Sequence, residues 1–223
     1  MFGYWHSTDH DPIREGIEVW RNHFSDFRVI GDSDVEPLIA RRFPRCLETY
    51  RKIRIPTCKS NLARLLALHE WGGLYVDRHC GIRDEKFVCQ LMTSLDSFEL
   101  IVFDRHRTSN EWHITNSFMF GRKHSEILLE CATNAFRNLE THWEIEKQQG
   151  FCQYNIWQMT GTGNLADTII DRSIQPPALK QRFAQNIWVF PEKLAPIVRF
   201  MYQSYKKPGM HWSERQKHEV LFD

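Results

Sequence analysis

The stretch from Cys58 to Asp77 most constrains what this chain can fold into. Cys58 to Trp71 predicts a helix, Gly72-Gly73 stands in the position of its C-cap, and Leu74-Tyr75-Val76 then predicts a buried strand that runs out at Asp77. Leu62, Leu65, Leu66 and His69 recur at helical spacing and predict one buried stripe. Asn61 and Arg64 fall together on another face.

The same alternation runs through the rest of the chain. Tyr4-Trp5 opens as a short strand or turn, and Asp11 to Phe24 predicts a helix with Pro12 in its first turn. Phe27 to Ile30 is a strand closed by Gly31-Asp32, and Val35 to Tyr50 a helix interrupted at Pro44. Further on, Phe98–Phe103 and Thr115–Phe120 predict strands and Ser125–Leu139 a helix. A short helix over Gly163–Asp171 and a strand over Asn186–Phe190 complete the pattern. Strands alternating with helices imply one α/β domain over residues 1–223, with a mixed, mostly parallel sheet flanked by helices. In such sheets ligands bind beyond the carboxyl ends of the strands, which makes residues there the first suspects.

Composition removes several classes. Lys and Arg number 29 against 28 Asp and Glu, for a net charge of +1, whereas a general nucleic-acid binder needs a basic excess. No run approaches the ~20 apolar residues that span a bilayer, and the mean hydropathy is −0.50. Met1 to Asp9 lacks the pattern of a secretory signal. The six cysteines are too scattered for a compact disulfide scaffold, so reduced thiols in a cytoplasmic protein are expected. Aromatic residues reach 13%, enough for a substantial core with some left to line a pocket for flat polar ligands.

Asp77, at the end of its strand, is the strongest single candidate for chemistry. In an extended chain residues i and i+2 project to one side, so Asp77 and His79, about 7 Å apart along the backbone, can converge on a divalent cation. The bland alternatives are a turn-capping Asp77, a surface His79 and His211, an ion-paired Arg64, a satisfied Asn116 amide and a core Trp5. Gly161-Thr-Gly163-Asn-Leu-Ala166 matches a dinucleotide fingerprint, but it lies late in the chain and follows a poor strand. No zinc-site cysteine spacing, nucleophile elbow or phosphate-binding Gly-Lys loop occurs.

The segment Ser60-Asn61-x-x-Arg64, Gly72-Gly73-Leu74-Tyr75-Val76-Asp77-x-His79 resembles the glycosyltransferases that carry the DXD sugar-binding motif. That family includes capsular-polysaccharide enzymes, yeast mannosyltransferases and clostridial glucosylating toxins. Ile114-Thr-Asn116, Thr160-Gly-Thr-Gly163 and His211-Trp212-Ser213 are similar to further family segments in the same order. The resemblance implies a GT-A-like fold and a nucleotide-sugar donor, a UDP-sugar in preference to a GDP-sugar, with a glycan, lipid-linked or protein acceptor. It implies donor binding by Trp5, Asn61, Arg64, Tyr75, Asp77 and Trp212, and catalytic parts for Asp77, Arg64 and Asn116. It further implies a metal held by Asp77, His79 and His211, and a peripheral place at the inner membrane face. Two departures stand out: Asn61 replaces the usual Asp, and His79 replaces the second Asp of the motif. An imidazole ligand favours Mn²⁺ over Mg²⁺, which prefers oxygen. The departures also keep open a degenerate nucleotide-sugar-binding module, and more remotely a metal-dependent phosphohydrolase.

Overall fold

A computed structural model describes residues 1–7, 14–105, 112–199, 209 and 211–223. The predicted helix start at 11–13, His106 and Arg107 of a polar loop expected from the sequence over Asp104–Arg107, and a solvated turn expected at Lys206–Pro208 lie outside these residues. The chain begins with β1 (Phe2–Tyr4), α1 (Arg14–His23), β2 (Arg28–Ile30) and α2 (Asp32–Arg42). A short 3-10 turn from Pro44 separates α2 from α3 (Leu47–Lys52), as the proline predicts. Then come α4 (Pro56–Trp71), β3 (Gly73–Val76), β4 (Cys80–Ile82) and α5 (Glu85–Thr93). Next are β5 (Leu100–Asp104), β6 (Ile114–Gly121), α6 (Glu126–Gln149), α7 (Ile156–Met159) and α8 (Thr162–Ile169). β7 (Ile170–Asp171), β8 (Ala178–Leu179), β9 (Ile187–Pro191), β10 (Ile197–Arg199) and α9 (Trp212–Arg215) close the order.

The central sheet has six strands in the order β2-β1-β3-β6-β5-β9. β1 runs parallel to β2 and β3, and β5 parallel to β9, while β6 is antiparallel to both of its neighbours. This is the mixed, mostly parallel sheet flanked by helices that the alternation predicts. Side chains alternate between two cores, one on each face. Phe2, Tyr4, Tyr75, Leu100 and Val102 enter the core shared with α2, α4 and α6. Leu74, Val76, Ile101, Phe103 and Phe118 enter the one shared with α1 and α5. Because only β6 is reversed, the carboxyl ends of β1, β2, β3, β5 and β9 and the amino end of β6 share one edge.

Helix α4 departs from the predicted single stripe. Every residue from Asn61 to His69 is buried, polar ones included, because α4 packs on the sheet while α2 and α6 close over it. A helix covered all round carries no amphipathic signal. Helix α6 runs ten residues past its predicted end at Leu139. Its buried face continues as His142 and Glu146, polar groups that break the apolar period but not the helix, and Gly150 at φ 71° stops it. The β4–β10 pairing, Ile82 with Ile197 to Cys80 with Arg199, joins segments too short and too distant for periodicity to reveal.

Candidate functional site

The carboxyl edge of the sheet gathers most of the residues the motif singles out. Arg64, only 3% exposed, is held on α4 by its own helix: Nε donates to Ser60 O at 3.2 Å and Nη2 to Ser60 Oγ at 2.8 Å. Its Nη1 donates to the backbone carbonyl of Asn116 at the start of β6. Nη2 also lies 3.2 Å from Asp77 Oδ1, and the guanidinium sits 4.7 Å from the Tyr75 ring centre. Tyr75 donates its hydroxyl to the same Asp77 oxygen at 3.0 Å and lies 3.2 Å from Ser60 Oγ. A buried guanidinium with all its directions assigned is a fixed positive charge, and it orients the carboxylate beside it.

Asn61, one residue along the helix, continues the network. Its Nδ2 donates to Thr160 Oγ1 at 3.1 Å, and its Oδ1 accepts from Asn116 Nδ2 at 3.3 Å. Thr162 then donates its hydroxyl to Asn116 Oδ1 at 3.0 Å. Asn61, Arg64, Asn116 and the Thr160–Gly163 segment therefore meet. The glycines of that segment are needed for close approach. A Cβ on Gly163 would lie 2.6 Å from the Trp157 ring, and one on Gly161 3.1 Å from the Trp157 backbone.

Other expectations are corrected. Residues 78 and 79 form a tight turn in which Cys80 N donates to Asp77 O at 2.9 Å, so the extended-chain reason for aligning Asp77 with His79 does not hold. Tyr75 is 1% exposed; its ring is core, packed edge-on against Phe2, and only its hydroxyl serves the site. Trp5 is 8% exposed, with the Arg78 guanidinium 3.7 Å from its ring centre. His211 caps the short α9, its Nδ1 accepting from Ser213 N at 3.3 Å, and Trp212 packs partly on the core. Asp77, His79 and His211 do not form a three-ligand group, and among the described residues no group of three or more His, Cys, Asp or Glu could hold a metal ion.

Sequence reasoning missed a second cluster beside the first. Asp32, just past β2, accepts from Tyr4 at 2.5 Å and Tyr50 at 2.7 Å on Oδ1, and from Lys59 at 2.8 Å on Oδ2. Burial pushes the Asp32 pKa up, but these hydrogen bonds outweigh it and leave it below the usual carboxylate value. Burial and Asp32 together drive the Tyr4 and Tyr50 hydroxyls far up, so both stay neutral donors. His6 has its pKa lowered by the protein around it and then by Arg78, Lys59 and Arg215, three cations from three separate segments. The available signals were weak: Asp32 follows a strand end, and Lys59 directly precedes the Ser60-Asn61 motif. A small apolar pocket of about 20 Å³ lies under Asp77 and Arg78, lined by Gly3, Ile17 and Trp20. It has room for about one water and none for a nucleobase.

No family model matches the chain, and no curated protein matches it in sequence. Solved structures do match. The PaToxG glycosyltransferase is 11% identical with a TM-score of 0.44, covering 75% of this chain and 67% of that one. The UDP-bound glycosyltransferase domain from the YGT toxin is 10% identical with a TM-score of 0.42, covering 85% and 59%. A glycosyltransferase involved in the glycosylation of the major capsid of PBCV-1 is 11% identical with a TM-score of 0.39, covering 97% and 96%. The chain spans 52% to 67% of the toxin chains.

Proposed function

We propose that this chain is a glycosyltransferase, one GT-A-like unit over residues 1–223, moving a sugar from a nucleotide-diphosphate donor to an acceptor hydroxyl. The motif resemblance favours a UDP-sugar. The observation that carries the reading is the network joining Asn61, Arg64, Asp77, Asn116, Thr160 and Thr162 at the carboxyl edge of the parallel strands. Pre-oriented amides, hydroxyls and one carboxylate suit a polyhydroxylated ligand. The nearby cations suit its phosphates.

Sugar transfer leaves a diphosphate whose negative charge grows in the transition state, and fixed cations stabilise it without reorganising. Arg78, the cation with the largest effect on His6 and stacked on Trp5, is the residue best suited to supply this charge; Lys59 and Arg215 are ion-paired with Asp32 and Glu219. Arg64 is too fully engaged to swing onto a phosphate; its part is to hold Asp77 and the Asn116 backbone. Asn116, partly exposed, offers its amide to the donor sugar or the incoming hydroxyl. No enzyme nucleophile is assigned, in keeping with front-face transfer that retains configuration.

A divalent metal, when bound, would add Lewis-acid neutralisation of the diphosphate. On the motif resemblance alone Asp77 and His79 would hold it, although the turn at residues 78 and 79 does not align them, and such a mixed oxygen and nitrogen set would suit Mn²⁺ better than Mg²⁺. Two protein donors suffice only when phosphate oxygens of the donor complete the shell. The acceptor is a glycan, a lipid-linked sugar or a protein side chain, the second calling for peripheral membrane association.

The test is hydrolysis of UDP-sugars in Mn²⁺, alongside a thermal-shift panel of nucleotide sugars, since a ligand of the native state raises its melting point. Asp77→Ala and the near-isosteric Asp77→Asn should both abolish hydrolysis and the Mn²⁺-dependent shift. Hydrolysis that survives both substitutions overturns the site. A second reading, a donor-binding module without turnover, is favoured by Asn61: a buried neutral amide bonded on both ends stands where the motif expects a charge. Tight donor binding with no hydrolysis in any divalent metal would select it.

A further inference from the structure

Residues of α6, α7, α8 and the loop before α7 line an open groove of about 610 Å³. Its lining is rich in neutral hydrogen-bonding groups, among them Asn134, Asn138, Thr141, Gln153, Gln158 and Asn164. Several are already fixed in orientation. Asn134 Nδ2 donates to Thr168 Oγ1, Asn138 Nδ2 to Met159 O and Asn164 Nδ2 to Cys131 O, each at 3.0 Å. Asn134 Oδ1 also accepts from Arg137 Nη1 at 3.2 Å and Gln158 Nε2 donates to Asp167, whereas the one bond of Asn138 sets its rotamer and leaves its Oδ1 and second N–H for a ligand. The charged groups on the walls, Arg137 and Asp167, are of opposite sign, which disfavours a polyanion.

Beside the groove lies Trp157, 41% exposed. Its indole lies against the turn, with ring carbons and Gln158 Oε1 each 2.6 Å from where a Gly163 Cβ would stand. Gly163 therefore makes room for this ring, and Gly161 for the Trp157 backbone. A sugar ring has an apolar C–H face and a hydroxylated rim. An aromatic plane buries the first, and neighbouring amides bond the second. Helix α8 links groove and site: Asn164, Asp167 and Thr168 line the groove, and Thr162, about 9 Å back along the helix axis, bonds Asn116.

We propose that this groove binds an uncharged oligosaccharide, with Trp157 as the stacking platform, so that the reactive end of the glycan reaches Asn116. Its role as the acceptor site rests on the glycosyl-transfer reading above; the binding itself does not.

The experiment measures wild-type protein and the variants Trp157→Ala, Trp157→Phe and Gln153→Ala on an array of immobilised neutral oligosaccharides. A thermal-shift series with UDP-sugars runs alongside on the wild type. The expected result is glycan binding that falls about tenfold or more in Trp157→Ala and Gln153→Ala and largely returns in Trp157→Phe. Gln153 is exposed, so its variant keeps the test sound if Trp157→Ala disturbs the turn. Absence of binding to any neutral glycan, or binding that both alanine variants leave intact, overturns the groove. A UDP-sugar response without glycan binding sinks the groove alone. Glycan binding without a UDP-sugar response keeps the site and removes its acceptor role.

Discussion

Asn61 shows how much a single amide can decide. At 4% exposure it bridges Thr160 on one side and Asn116 on the other, so its side chain ties α4 to β6 and to the segment before α8. Replacing it by Leu removes both bridging bonds, each worth about 0.5–1.5 kcal/mol, while Thr160 keeps its contact to Ile156 O and the partly exposed Asn116 can turn to water. Asn61→Leu should therefore lower the urea midpoint clearly. Asn61→Asp should cost less, because the Thr160 hydroxyl can turn to donate to a carboxylate. Equal midpoints for the two variants would contradict the bridging role. Asp32 makes a prediction in pH. Its folded pKa lies below the unfolded value, so its contribution to stability is complete above the usual carboxylate pKa and is lost as pH falls through the folded one. The stability difference between wild type and Asp32→Asn should be constant near neutrality and shrink below about pH 4. A difference that persists unchanged to pH 2.5 or so would show that the Lys59, Tyr4 and Tyr50 bonds to Asp32 are not charge-linked.

At the scale of the element, the joint between α4 and β3 does the most positioning. Gly72 takes φ 69°, and a Cβ there would also meet the Lys123 backbone nitrogen at 2.8 Å. With ψ at −179° this is a backbone region that essentially only glycine adopts; it costs another residue about 1–3 kcal/mol, and the collision adds to it. Gly72→Ala should thus lower the melting temperature by several degrees and weaken any donor response, since the same joint sets Tyr75 and Asp77 against Arg64. A thermal melt that matches wild type would refute this. The helix stop and the following strand were legible in the residues because glycine chemistry and apolar runs are local signals. The even burial of α4 was not legible. Its low amphipathicity reads the same for a weak surface helix and for one enclosed on every side, and only the packing of α2 and α6 distinguishes them.

At the scale of the whole molecule, the last residues are clamped to α6. Glu146 accepts from Leu221 N and Phe222 N at 2.9 Å each, and His142 Nε2 lies 3.2 Å from the same carboxylate. Tyr154 adds a bond to Glu219 O at 2.9 Å, and Ile53 bridges to Phe222. This clamp fixes the segment that carries His211, Trp212 and Arg215, and Arg215 is one of the cations felt at His6. Glu146→Ala removes acceptors from two buried N–H groups and should cost about 2 kcal/mol or more. Amide exchange at residues 221 and 222 should speed up, and donor response should weaken although residue 146 is far from Asp77 in sequence. Unchanged exchange at those two amides would show that the clamp does not hold the segment.

The amino-acid sequence by itself determined the alternation of helices and strands, the Gly-Gly joint, the position of Asp77 at a strand end and the side-by-side placing of Asn61 and Arg64. Each depends on residues within a few positions of one another, where periodicity and glycine conformation act directly. Only the tertiary structure decided that Asn61 meets Thr160, 99 residues away, and that Asn116 reaches back 55 residues to the same amide. It also brought Asp32 under Tyr4, Tyr50 and Lys59 and turned residues 78 and 79 out of the extended line expected of them. A polar side chain carries no local mark of its distant partner, and the sheet order and the burial of α4 select that partner.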